Sequence, residues 1–126
     1  CGAGEVIYGA GKTPPQIIDI ARAMVERGSG VLATRLSPES AEAFLREFSR
    51  AKYCGIAGAA WINSDSPKPR VRGEIAVVSA GTSDMPVAEE ARVTAEFLGS
   101  PAKAFYDCGV AGIHRLADRL EEIRKC

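Results

Sequence analysis

The chain has 126 residues, an apolar share of 46%, and sixteen basic residues against sixteen acidic ones. That length suits one ordinary domain with a buried core, and the balanced charge excludes recruitment of nucleic acid or an anionic membrane by bulk electrostatics, so any bound anion needs a local site. No apolar run approaches the roughly 20 residues that span a bilayer, and no basic-then-apolar leader is present, so the expected address is cytoplasmic.

Cys1, Cys54, Cys108 and Cys126 form no C-x-x-C pair and have a single histidine for company, which is poor material for zinc. No metal ligands are assigned. Cys54 and Cys108 lie in apolar runs, where a free thiol behaves as a small buried hydrophobe. The chain begins with Cys and ends just after an amphipathic helix that should feed another strand, so the expectation is an interior piece of a longer protein.

Val6 to Tyr8 reads as a short strand, and Gly9-Ala10-Gly11 as a turn. Thr13-Pro14-Pro15-Gln16 then carries a helix start, with Thr13 as cap, Pro14 at the first helical position and Gln16 closing a capping box. Ile17, Ala21, Met24 and Val25 recur on one face up to Gly28, a helix stop. Gly11-Lys12-Thr13 lacks the glycine a nucleoside-triphosphate P-loop requires five positions earlier, where Val6 stands.

The order repeats, with a strand over Val31 to Thr34, a cap and first-turn proline at Ser37-Pro38, and a helix expected to bury Ala41, Phe44, Leu45 and Phe48. From Tyr53 to Ile62 the chain is apolar and rich in Gly and Ala, which fits one strand or a tight hairpin, with close backbone neighbours at Gly55 and Gly58. Tyr53 and Trp61 are assigned to packing. The stretch from Ser64 to Arg70 has two prolines and no periodicity and reads as a linker, with Lys68, Arg70 and Arg72 as solvated loop charge.

Ile75 to Val78 is an unbroken apolar run, as expected of a central parallel strand covered on both faces. A helix is predicted from about Asp84 to Leu98 with Val87, Ala91, Ala95 and Leu98 inward and Gly99 as its stop. A strand follows over Ala104 to Cys108, then a helix marked by Ile113, Leu116, Ala117, Leu120 and Ile123. Strand, helix, strand, helix with short connections predicts right-handed crossovers and a parallel sheet. The fold class is therefore α/β. A small α/β region is expected at 1–63 and a linker at 64–73, followed at 74–126 by the first βαβα half of a parallel, doubly wound three-layer domain.

Open parallel sheets bind ligands beyond the carboxyl ends of their strands, where loops meet helix starts. One such loop is Ala80-Gly81-Thr82-Ser83-Asp84, with small residues and hydroxyls suited to a phosphate and an aspartate suited to a ribose hydroxyl or proton handling; simple helix capping by Ser83 or Asp84 is the plainer alternative. The other runs from Gly109 through Val110, Ala111, Gly112 and Ile113 to His114 and Arg115. There the glycines allow close backbone approach, Arg115 can pair with a phosphate, and His114 is the only neutral-pH acid or base in the chain.

With both loops in view the chain resembles the LarB family, the carboxylase/hydrolase of nickel-pincer cofactor biosynthesis, whose catalytic domain resembles PurE, the phosphoribosyl-aminoimidazole carboxylase of purine synthesis. The stretches that carry the resemblance are EVIYGAGKTPPQI at 5–17, TRLSPE at 34–39, VVSAGTSDMPVAEEA at 77–91 and YDCGVAGIHRL at 106–116. The resemblance implies a PurE-like domain in which Gly81, Thr82, Ser83, Asp84, Ala111, Gly112 and Arg115 contact a phosphoribosyl group. Asp84 and His114 are then the candidate catalytic residues. It implies carboxylation of the pyridinium ring of nicotinic acid adenine dinucleotide, with cleavage of its phosphoanhydride, carbon dioxide or bicarbonate as cosubstrate, no tightly bound cofactor and room for magnesium.

An electron-poor pyridinium needs a nucleophile to add to it before it can attack carbon dioxide, and the family's cysteine for that role lies in a segment that this sequence does not contain, so it is carried onto none of Cys54, Cys108 or Cys126. The resemblance also implies a homo-oligomer, octameric in PurE-like proteins. Two other readings remain: a PurE-type carboxylase or mutase acting on aminoimidazole ribonucleotide, and a non-catalytic nucleotide-binding or assembly module.

Overall fold

A computed structural model describes residues 5–66 and 73–126. The linker prolines Pro67 and Pro69, the basic residues Lys68, Arg70 and Arg72, and Cys1 lie outside the described residues. Strand β1 (Glu5–Tyr8) leads into α1 (Pro14–Glu26), β2 (Val31–Thr34) and α2 (Pro38–Glu47), and then a hairpin of β3 (Lys52–Cys54) and β4 (Ala59–Ile62). These form a four-stranded sheet in the order β1-β2-β4-β3, with β1 parallel to β2 and β4 antiparallel to both β2 and β3.

Local chemistry explains the helix boundaries. Thr13 Oγ1 accepts from the Gln16 amide at 3.4 Å while Gln16 Oε1 accepts from the Thr13 amide at 2.9 Å, so the capping box forms as the spacing predicts. Ser37 caps α2 by accepting from the Ser40 amide at 3.1 Å. Gly28 ends α1 at φ +77°, a conformation costly for a residue with a β-carbon.

Strand periodicity divides the core in two. Val31 and Ala33 of β2 and Ala60 and Ile62 of β4 face α1 and α2, where Ile17, Ala21, Met24, Ala41 and Phe44 complete one cluster. Leu32 and Ala59, on the opposite face, meet a second cluster closed by Ala57 and by Val93 and Phe97 of α3 (Met85–Phe97). All four residues of β2 are buried, as befits a strand covered on both faces.

The second sheet has two parallel strands, β5 (Ile75–Val78) and β6 (Ala102–Phe105), in register Ile75 to Ala102 through Val78 to Phe105. Each is followed by a short 3-10 turn, Thr82–Asp84 before α3 and Val110–Gly112 before α4 (Ile113–Ile123). α3 packs against β5 and β6 as well as against β2 and β4, so one helix serves both sheets.

Several expectations change. The buried face of α3 is Ala88, Glu89, Val93 and Phe97, while Val87, Ala91 and Leu98 are exposed and Ala95 is half-buried. Its sequence carries small apolar residues on two faces, and the N-terminal sheet selects the face with the larger Val93 and Phe97. Val25, Leu45 and Tyr53 are exposed, each lying at the rim of its apolar face rather than at its centre. β6 spans Ala102–Phe105 rather than Ala104 to Cys108, because its register with β5 starts two residues earlier. β5 is not covered on both faces: Ile75 and Val78 are 44% and 45% exposed, since a sheet of two strands cannot shield them. α4 forms where its periodicity predicts, yet buries none of its residues, and Ile113 and Leu120 face outward. A β-carbon at Gly55 would meet only the ring of Tyr53 at 3.7 Å, so this glycine serves the hairpin turn and not a close backbone neighbour.

Candidate functional site

The carboxyl ends of β5 and β6 lie side by side, and backbone pairing continues past both strands. Ser79 N donates to Phe105 O and Cys108 N to Ser79 O, each at 2.9 Å. A β-carbon on Gly109 would come within 3.2 Å of the Ala80 side chain, so the loop after β6 rests directly on the loop after β5. The two loops close around a cavity of 340 Å³ lined by Ala80 and Gly81 from one and Asp107, Gly109, Val110, Ala111, Gly112 and Arg115 from the other.

Four of the sequence-predicted residues, Gly81, Ala111, Gly112 and Arg115, line this cavity. Thr82, Ser83 and Asp84 are exposed on the 3-10 turn at its border and are not lining residues. Ser83 Oγ and Asp84 Oδ2 nevertheless come within 3.8 and 4.0 Å of where a Gly81 β-carbon would stand. Asp84 makes no side-chain cap to α3; its Oδ2 instead accepts from the Gly81 amide at 2.9 Å, which fixes the turn and leaves the second carboxylate oxygen for other use. His114 is exposed on the first turn of α4 and does not line the cavity.

Sequence reasoning missed Asp107. It follows Tyr106 at φ +59°, the left-handed region that Asp and Asn enter more readily than other side chains, and its carboxylate holds the Arg115 guanidinium. Arg115 lies over Gly112, where a β-carbon would be 3.0 Å from Nε. The single ion pair to Nη1 leaves the rest of the guanidinium for an incoming anion. The available signal was an acidic residue beside a glycine-rich turn that carries its own arginine eight positions on.

Behind this wall is a polar cluster built on Glu89. Its carboxylate accepts from Arg92 Nε at 2.9 Å and Arg92 Nη2 at 2.8 Å, from the Tyr106 hydroxyl, and from the Cys54 thiol at 3.6 Å. Hydrogen bonding from Arg92, with a further contribution from Tyr106, outweighs desolvation and holds Glu89 at a pKa of about 2. The Tyr106 hydroxyl is pushed up, first by burial and then by its bond to Glu89, so it remains a donor. Cys108 is buried with its thiol toward Tyr106 O at 3.5 Å, and just past the end of β5 the buried Ser79 Oγ has no hydrogen-bond partner among the described residues. Cys54, Cys108 and Cys126 are free thiols.

Among the described residues no group of three His, Cys, Asp or Glu side chains is placed to hold a metal ion, and the carboxylates nearest the cavity, Asp84 and Asp107, are each engaged within the protein. No described helix is long and apolar enough to cross a membrane. A groove of 370 Å³ between α1 and α2, lined by Pro14, Pro15, Ile18 and Ala43 together with Asp19, Arg22, Arg46 and Glu47, is no candidate site, because its charged side chains are held in the Arg22–Asp19, Arg22–Glu47 and Arg46–Glu42 ion pairs. The strand-end loop of β1 is likewise no phosphate cradle. Lys12 Nζ turns back onto Tyr8 O at 2.7 Å, while Pro14 and Pro15 remove two donors from the first turn of α1.

The profile of a family described as the LarB/PurE-like N-terminal domain matches residues 1–64. The uncharacterized protein MJ0165 of Methanocaldococcus jannaschii is 35% identical over 127 residues, covering 97% of this chain and 50% of that protein. The chain thus spans about half the length of the curated relative it matches.

Proposed function

The chain belongs to the LarB/PurE-like family, and on that premise we propose that it supplies the phosphoribosyl-holding part of an enzyme that carboxylates the pyridinium ring of nicotinic acid adenine dinucleotide and hydrolyses its phosphoanhydride. The observation that supports this reading best is the meeting of the two strand-end loops around one cavity with Arg115 at its wall. Carbon dioxide, or bicarbonate with loss of hydroxide, provides the new carboxylate in exchange for a ring proton, and water cleaves the anhydride to leave a biscarboxylated mononucleotide and AMP. The working protein is a cytoplasmic homo-oligomer.

In this reading the nucleotide phosphate sits over the Gly109–Gly112 turn, where first-turn amides of α4 lack helical partners and Gly112 offers no side chain to cap them. Arg115 neutralises the phosphate. Ser83 and the free oxygen of Asp84, at the Gly81 border, take the ribose hydroxyls, and His114 moves a proton at the substrate from the first turn of α4. Cys54, turned to Glu89, and Cys108, turned to Tyr106 O, are not in the role of ring nucleophile. A magnesium ion would have to be held largely by the substrate's phosphates, since the described residues offer no ready ligand set, and no step is routed through it.

The stretch at 5–39 is foreign to PurE, which favours the pyridine nucleotide over the imidazole nucleotide of purine synthesis. Calorimetric titration with nicotinate mononucleotide and with aminoimidazole ribonucleotide tests the reading. Saturable binding of the pyridine nucleotide that disappears in Arg115→Ala is expected. Preference for the imidazole nucleotide would move the chain to the purine reaction, and failure of the wild-type protein to bind either would remove the nucleotide-site reading.

A further inference from the structure

Glu89 is the one buried charged side chain among the described residues, at 6% exposure. It lies on the face of α3 that also carries Val93 and Phe97 into the cluster with Leu32 and Ala59 of the N-terminal sheet. Its carboxylate therefore stands where two parts of the molecule meet. From the N-terminal sheet it receives the Cys54 thiol at the end of β3, and from the second sheet the Tyr106 hydroxyl just past β6.

The neighbouring Glu90 accepts from Arg35 Nε at 2.5 Å. Arg35 follows β2 at φ +53°, and its side chain is drawn toward α3 from a backbone conformation unusual for arginine. Two consecutive carboxylates in the second turn of α3 thus hold three strand ends: β2 through Arg35, β3 through Cys54 and β6 through Tyr106.

A charge buried this deeply is a poor device for stability alone, since well-packed apolar side chains of the same volume do as well or better. Directional bonds to a carboxylate do something apolar contact does not, which is to fix the position of the donors. Tyr106 is the residue before Asp107, so wherever its ring is held the wall of the Arg115 cavity begins. We infer that Glu89 is a positioning residue through which the N-terminal sheet sets the placement of the 106–112 loop. Arg92 keeps the carboxylate charged and oriented from within α3 and is itself shared with Glu96 at 2.9 Å.

Amide hydrogen exchange on the whole protein tests this by comparing wild type with Tyr106→Phe, Cys54→Ala and Cys54→Ser. Exchange at residues 107–112 should quicken about five- to tenfold in Tyr106→Phe and, to a smaller degree, in Cys54→Ala, with the β1–β2 amides unchanged. Cys54→Ser keeps a donor to Glu89 and should return the loop to the wild-type rate, which a merely space-filling role for Cys54 would not demand. Unchanged exchange at 107–112 in both Tyr106→Phe and Cys54→Ala overturns the inference, and so does a uniform increase over the whole chain, which would mark simple destabilisation. Its bearing on ligand rests on the nucleotide reading above, and parallel titration with nicotinate mononucleotide separates the two. A loop that loosens while the wild type binds no nucleotide leaves the positioning intact and removes the ligand, whereas a loop that loosens with weaker binding supports both.

Discussion

Arg115 folds back over Gly112, so that a β-carbon at position 112 would lie 3.0 Å from Nε and 3.2 Å from Cζ. Gly112 adopts φ −136° and ψ 49°, outside the left-handed region, so the backbone does not require glycine there; the arginine does. The three atoms nearest an alanine β-carbon at 112 all belong to the flexible Arg115 side chain, which swings out at little expense to the fold. Gly112→Ala should therefore change stability by no more than about 0.5 kcal/mol and yet weaken nicotinate mononucleotide binding about tenfold through the displaced guanidinium. Paired urea titration and calorimetry check both halves, and unaltered affinity would place Arg115 outside the binding site.

Asp107 competes for the same guanidinium. Its ion pair with Arg115 is half-exposed on both sides and so holds weakly, but a ligand phosphate must still share or replace it. Asparagine tolerates the left-handed backbone at 107 while removing the negative charge. Asp107→Asn is expected to bind nicotinate mononucleotide a few-fold more tightly at low salt, with the gain fading as ionic strength rises. Weaker binding by this variant would instead mean that the carboxylate orients Arg115 for the ligand.

The same region shows what could and could not be read in advance. Caps and stops are local, so Thr13 with Gln16, Ser37 with Pro38, and Gly28 announce themselves by residue type alone. The two loops around the cavity were also legible, since an open parallel sheet brings successive strand ends together whatever the details of packing. The working face of α3 was not. Val87, Ala91, Ala95 and Leu98 make an apolar stripe as regular as the one actually buried, and nothing local marks a glutamate as a core residue. Glu89 goes inside because Arg92, Tyr106 and Cys54 meet it there, a condition set by three separate elements. Asp107 escaped notice for a related reason: its meaning lies in where Arg115 points.

Phe97 ties the two sheets together by packing rather than by charge. It is 6% exposed within the cluster of Leu32, Ala59 and Val93, and its ring tip would lie 3.3 Å from a β-carbon on Gly30. Truncation leaves a cavity that β2 and β4 cannot close, because their opposite faces are already engaged with α1 and α2. Phe97→Ala should cost about 3–5 kcal/mol in urea unfolding. A loss below about 1 kcal/mol would mean that α3 contributes little to the N-terminal core.

Acid should expose the contribution of Glu89 directly. Its pKa of about 2 lies below the ordinary carboxyl value of 4.5, chiefly through the Arg92 hydrogen bonds. A carboxyl whose folded pKa is depressed binds fewer protons in the native state, so its stabilising contribution is complete above pH 4.5 and is lost as pH falls toward 2. The full contribution is on the order of 3 kcal/mol, from about 1.4 kcal/mol per pKa unit. Other carboxylates titrate over the same window, but they do so equally in wild type and in Glu89→Gln, and their effects cancel in the difference. The glutamine variant should be the less stable at neutral pH, and its deficit against wild type should shrink steadily between pH 4.5 and 2. A deficit that stayed constant through that range would show that Glu89 is not held charged in the folded protein, and with it the positioning of Tyr106 would lose its physical basis.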